Sequence, residues 1–157
     1  MNTDINSSST KPQTKNDHPI ISSSIEDEDE KIKNSKKEIQ ISFDNWTKAW
    51  NEGNTETYLT AYADLPSTRY VSGTNVTIGK ENIVQLMRER GGAKGILSIH
   101  DPSTSFHIDI LPNQDDAICF GQYELELPHV DSKQHGCFTV HVRKLEGVWK
   151  IISDHSS

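Results

Sequence analysis

Trp46-Thr47-Lys48-Ala49-Trp50-Asn51-Glu52-Gly53-Asn54, followed by Tyr58-Leu59 and Tyr62, is the stretch on which the reading of the fold turns. Ile39, Phe43, Trp46 and Trp50 recur at intervals of 4, 3 and 4 residues, which puts them on one face of a helix. Gly53 supplies the left-handed stop. Asn54 can cap a second, short helix that carries Tyr58, Leu59 and Tyr62 and is closed from outside by Pro66. Upstream, Ser35-Lys36-Lys37-Glu38 has capping-box spacing, with a Ser hydroxyl to accept a backbone N–H and a Glu to reach back, and predicts the helix start at Ser35. Residues 1–34 are Ser-, Asn- and Lys-rich, with the acidic block Glu26–Glu30. No aromatic residue precedes Phe43, so this segment lacks a side chain with which to anchor itself. It is expected to be a disordered acidic tail, with the domain spanning residues 35–157.

Downstream, Lys80–Arg90 fits a third helix with Ile83, Leu86 and Met87 inward and Gly91-Gly92 ending it. Thr68–Val71 and Asn75–Ile78 bracket Ser72-Gly73-Thr74 and read as a small hairpin. From Gly95 onward the apolar period changes to two: Phe106, Ile108 and Ile110, then Tyr123, Leu125 and Leu127, then Phe138–Arg143, then Trp149–His155. Asp101-Pro102 interrupts the first of these strands, where a bulge or bend is the usual cause. Helices followed by long strands give an α+β layout, a curved antiparallel sheet covered by three N-terminal helices. With Glu146-Gly147 as a two-residue turn, regular pairing sets Val142 against Ile151, Val140 against Ser153 and Phe138 against His155. His155 then ends an apolar wall, and Asp154 points to the opposite face.

The 157-residue chain carries a formal net charge of −7, which argues against a nucleic-acid partner or an anionic membrane surface, since both need a basic face. No secretory leader or spanning run is visible, so the expected location is cytoplasmic. Cys119 and Cys137 form no CxxC pair and read as small hydrophobes on strands. Among the seven histidines, His129 and His135 flank a turn without a recognisable zinc pattern, so neither metal nor cofactor is expected. There is no Gly-x-Ser-x-Gly element.

The opening stretch resembles the W-x-x-A-W-N-x-G-D … Y-L … Y start of SnoaL-like proteins in the nuclear transport factor 2-like superfamily. Gly136-Cys137-Phe138-Thr139-Val140, Arg143-Lys144 and Gly147–Ser157 resemble the G-x-F-T … R-K … G-W-R-I-V-x-D-H-T-S close of one branch, and Gly79–Ile83 falls where that family has G-x-E-x-I. Asn54 stands for the usual Asp and Ser156 for the usual Thr. The resemblance implies a cone with a mostly apolar interior and, commonly, a homodimer formed through the sheet. It does not imply a reaction, because members include isomerases, cyclases, dehydratases, transport factors and the association domain of calcium/calmodulin-dependent kinase II. The catalytic sets of the isomerases and epoxide hydrolases do not match positions in this chain.

The ligand-pocket candidates are Trp46, Trp50, Tyr62, Tyr123, Phe138, Trp149 and His155, with core packing as the competing role for the aromatics. His155 is the candidate catalytic residue, since an imidazole at the end of an apolar wall can exchange a proton near neutrality. Tyr62 and Tyr123 are possible donors to a developing oxyanion. His107 and Asp109 share a face and would reach the interior only if the Asp101-Pro102 interruption flips their strand. The preferred function is a non-catalytic homodimer holding a small apolar or aromatic molecule. The alternatives are an isomerase-, cyclase- or dehydratase-type enzyme using a pocket His or Asp, and an association domain.

Overall fold

A computed structural model describes residues 20–99 and 106–157, with side chains of the first helix described from Ile25. Helix α1 spans Ile20–Asn51, α2 Thr55–Leu59 and α3 Lys80–Glu89; the strands are β1 Arg69–Ser72, β2 Asn75–Ile78, β3 Ile96–Ile99, β4 His107–Ile110, β5 Asp116–Glu126, β6 Gln134–Leu145 and β7 Val148–Ser156. The sheet order is β2-β1-β7-β6-β5-β3, with β4 also on β5. All pairings are antiparallel except β1 with β7, which is parallel. This is the expected α+β cone, a curved, unclosed sheet with the helices on its concave side.

The local signals in the opening stretch act as read. Ile39, Phe43 and Ala49 are buried on α1, and Trp46 packs against the same cluster. Asn54 accepts the Thr57 N–H at 3.1 Å as the cap of α2. Asn51 holds the end of α1 to β3 twice: its amide donates to the Leu97 carbonyl at 2.9 Å and accepts the Leu97 N–H at 2.7 Å.

The start of α1 differs from the expectation. The helix runs through Ser35 and begins at Ile20, and Ile25–Lys31 are exposed along it. Extending an existing helix carries no nucleation cost, and Asp27 and Asp29 stand four residues before Lys31 and Lys33, the favourable order for helical ion pairs. A Glu30–Lys33 pair is present at 3.7 Å. Glu38, freed from any capping role, accepts Lys144 Nζ at 2.7 Å and Trp149 Nε1 at 3.0 Å and so ties α1 to the last hairpin. Residues 1–19 of the expected tail and the Asp101-Pro102 interruption lie outside the described residues. The strand on either side of that interruption is two strands, β3 and β4, both laid along β5.

The final hairpin is the decisive departure. Glu146 and Gly147 do form the turn, both at positive φ, and Val142 pairs with Ile151. Between His141 and Val142 the register shifts by one, so Val140 faces Asp154 and Phe138 faces Ser156. This β-bulge opposes Ile152 and Ser153 to the single residue His141 and exchanges the faces of everything beyond it. Asp154 therefore points inward at 6% exposure, whereas His155 is exposed on the convex side, level with Thr139.

Candidate functional site

The concave face of the sheet, α1, α2 and α3 enclose a cavity of about 330 Å³. From the helices it takes Phe43, Trp46, Trp50, Tyr58, Met87 and Arg90; from the strands Tyr70, Leu97, Tyr123, Gln134, Phe138, Val140, Ile151 and Asp154. Buried Asp154, Val140 and Ile151 form its floor, and the exposed Arg90 and Gln134 mark its mouth. The size and the mostly apolar lining are those of small-molecule sites.

Aromatic side chains set the walls. Trp50 meets Tyr58 edge-on with ring centroids 5.0 Å apart, while its indole N–H is held by the Lys94 carbonyl at 3.1 Å. Tyr58 in turn meets the edge of Tyr62 at 6.2 Å. Phe43 packs on Trp46, Phe106 and Phe138 at 5.0, 4.9 and 6.2 Å. Tyr123 lies over Gly136, its partner on β6, where a Cβ would come within 2.5 Å of the ring. Glycine at that position is what lets the phenol lie across the sheet.

The polar group at the floor is Asp154. The Tyr62 hydroxyl, itself fully buried, donates to its Oδ2 at 2.7 Å, and the Ser156 hydroxyl donates to Oδ1 at 3.2 Å. Burial raises the Asp154 carboxyl above its ordinary range, and the bonds from Tyr62 and Ser156 and the nearby His155 only partly counter it. Tyr62 is pushed well above the usual phenol value, first by burial and then by the charge of Asp154; Tyr58 rises for the same two reasons. Tyr123 rises mainly through burial. A carboxyl that holds its proton unusually tightly, set among phenols that do not ionise, can donate or accept a hydrogen bond and can exchange a proton with a ligand.

Of the seven side chains singled out in the sequence, Trp46, Trp50, Tyr123 and Phe138 line the cavity. Tyr62 sits behind the lining and reaches it through Asp154. Trp149 is buried in the core with its N–H spent on Glu38, away from the cavity. His155, the catalytic candidate, is on the wrong face, and Asp154 occupies the place assigned to it. His107 is likewise exposed, stacked on Phe120 at 5.0 Å, and Asp109 is exposed beside it on β4. The sequence reading missed Asp154, Tyr58, Tyr70 and Arg90. Tyr58 could have been found, since it stands four residues before Tyr62.

A second polar cluster lies outside the cavity. Asp116, 5% exposed, accepts Arg143 Nε at 2.8 Å and engages His141 Nε2 at 2.7 Å and Asn113 Nδ2 at 2.5 Å. Burial works to raise its carboxyl, but the bonds from Arg143, Asn113 and His141 together outweigh it and hold the group below its ordinary value. These bonds tie the start of β5 to the neighbouring β6. Among the described residues no group of His, Cys, Asp and Glu is arranged to hold a metal ion, and no helix is long and apolar enough to cross a membrane.

No protein-family model and no curated protein matches the chain in sequence. Solved structures do match in shape. A nuclear transport factor 2-like protein of unknown function from Shewanella oneidensis is 22% identical, with 78% of this chain and 98% of that one covered and a TM-score of 0.67. A candidate calcium/calmodulin-dependent protein kinase II association domain from Xanthomonas campestris is 25% identical over 76% of this chain and 84% of that one, with a TM-score of 0.63. A candidate scytalone dehydratase from Novosphingobium aromaticivorans is 11% identical over 81% of this chain and 85% of that one, with a TM-score of 0.65.

Proposed function

Since the chain has the nuclear transport factor 2-like fold, we propose that it binds a small apolar or aromatic molecule carrying one polar group, seated in the cone with that group at Asp154. The observation that carries this reading is the pairing of an aromatic-walled cavity with one buried, doubly hydrogen-bonded carboxyl at its floor. Trp46 and Trp50 line that cavity and give the binding its own optical signal. Titration with the uncharged fluorophore N-phenyl-1-naphthylamine should give saturable dye emission with loss of tryptophan emission. Leu125 on β5 also lines the cavity, and Leu125→Trp, which should fill it, should abolish binding while circular dichroism stays native. Absence of saturable binding, or binding unaffected by the filling substitution, sinks the reading.

A catalytic reading has one observation in its favour, the 2.7 Å hydrogen bond from a tyrosine hydroxyl to a buried carboxyl at the cavity floor. Asp154 would then be the general acid or base, as isomerisation, cyclisation or dehydration requires. Similarity in fold to a candidate scytalone dehydratase is compatible with this and does not identify a substrate.

The protein also pairs with itself, in this reading, through the convex face of the sheet. Phe120 is 38% exposed there with His107 stacked on it, and Thr139 and His155 continue the same cross-strand row. The likeness to a candidate association domain supports self-assembly. Light scattering should give about twice the 17.7 kDa chain mass, and Phe120→Glu should return a monomer. A wild-type monomer would remove the argument.

A further inference from the structure

The cavity lining contains two charged side chains, and they differ in kind. Asp154 lies on the floor, where burial favours its neutral form. Arg90, the C-cap of α3, stands at the mouth. Its guanidinium makes no hydrogen bond or ion pair among the described residues. Arg88, two residues earlier on the same helix, shows the contrast: its Nε and Nη2 donate to Glu56 at 2.9–3.1 Å, outside the cavity. The Lys94 ammonium lies close to Gly91, the residue after Arg90, and is not part of the cavity lining. Among the described residues the cavity lining thus carries one guanidinium without a carboxylate partner, in a chain whose net charge is −7.

From this placement we propose that the ligand is a small aromatic or alicyclic acid, its ring between Trp50, Tyr58 and Tyr123 and its anionic group on the Arg90 guanidinium at the cavity mouth. The inference rests on the pocket reading and adds the ligand's charge and orientation. An anion could not sit at the other end, where Asp154 would repel it once ionised and where leaving water is costly for any charge. At the mouth the anion stays partly hydrated and meets a planar donor fork that suits a carboxylate or sulfonate. The floor then takes a neutral carbonyl or hydroxyl.

The test uses two dyes that differ only by one sulfonate, 1-anilinonaphthalene-8-sulfonate and the uncharged N-phenyl-1-naphthylamine. The wild-type protein should bind the sulfonate at least tenfold more tightly, and that advantage should shrink with added salt. Arg90→Gln should remove the advantage, so that the variant holds the two dyes with similar affinity, and Arg88→Gln, outside the cavity, should leave the advantage in place. Equal affinity for both dyes, or a preference that survives Arg90→Gln, overturns the proposal while the pocket reading stands. If neither dye binds, the pocket reading fails and takes this one with it.

Discussion

Replacing Tyr62 with Phe isolates the bond at the floor of the cavity, because the ring and its packing are kept and only the hydroxyl leaves. Tyr62 is 0% exposed and its hydroxyl is 2.7 Å from Asp154 Oδ2, so no solvent replaces the lost donor. A hydrogen bond to a charged group contributes about 1.5–3 kcal/mol and one to a neutral group about 0.5–1.5 kcal/mol. The cost of the substitution should therefore depend on the state of Asp154. Because burial raises the folded-state value of Asp154, the folded protein binds this proton more tightly than the unfolded chain does. Stability from this group is thus intact below the unfolded aspartate value of about 3.9 and is lost as pH rises from there through the folded value. Tyr62 lowers that folded value, so Tyr62→Phe should move the decline to higher pH. Where Asp154 is ionised, the cost should be about 2 kcal/mol, or a fall in Tm of roughly 8 °C for a domain of this size. Under acid conditions, with the carboxyl protonated, it should be about half that. The assay is thermal unfolding followed by circular dichroism across pH 4 to about 9, with Asp154→Asn as the reference that should flatten this group's share of the pH dependence. A Tm loss that is the same at every pH would show that the hydroxyl and the carboxyl are not coupled, and the account of the floor would be wrong.

Two further outcomes follow from the corrected geometry. His155→Gln should leave dye binding within twofold of wild type, because the imidazole is on the convex face; a tenfold loss would restore it to the site. Deleting residues 1–34 should leave Tm within about 2 °C, because Ile25–Lys31 are exposed and make no core contact, while the helical circular dichroism signal falls. A larger Tm loss, corresponding to about 1 kcal/mol or more, would mean that the segment packs on the domain.

What the sequence disclosed was periodic and local. The burial of Ile39 and Phe43, the Asn54 cap and the Glu146-Gly147 turn each follow from residues a few positions apart. What it concealed depended on one extra residue or on distance. Strict alternation along Trp149–His155 assigns faces only while the pairing is regular, and nothing in Ile151-Ile152-Ser153 announces the bulge. The Tyr62–Asp154 bond spans 92 positions and has no local signature. Nor does alternation report which strands far apart in sequence become neighbours, so the parallel pairing of β1 with β7 has no local sign. The helical run before Ser35 has no aromatic side chain to announce it, and a solvated helix needs none, only a nucleus behind it and charges in the right order.

The position of β7 bears on the order in which the molecule assembles. It is the most C-terminal of the described strands, yet it lies between β6 and β1, and its Ile151 backbone also bonds Ala61 and Ala63 at 2.8 Å each. The β5–β6 pair closes over a short connection and can form early, whereas every contact of β7 with the 61–72 region needs a loop of some eighty residues to close first. The two halves of the sheet are joined in that late step, and the same step brings Asp154 to Tyr62. An intermediate with the β5–β6 hairpin formed would contain secondary structure without a floor to its cavity, so amide protection at Cys119 and Val140 should precede recovery of the bound-dye signal in a refolding experiment.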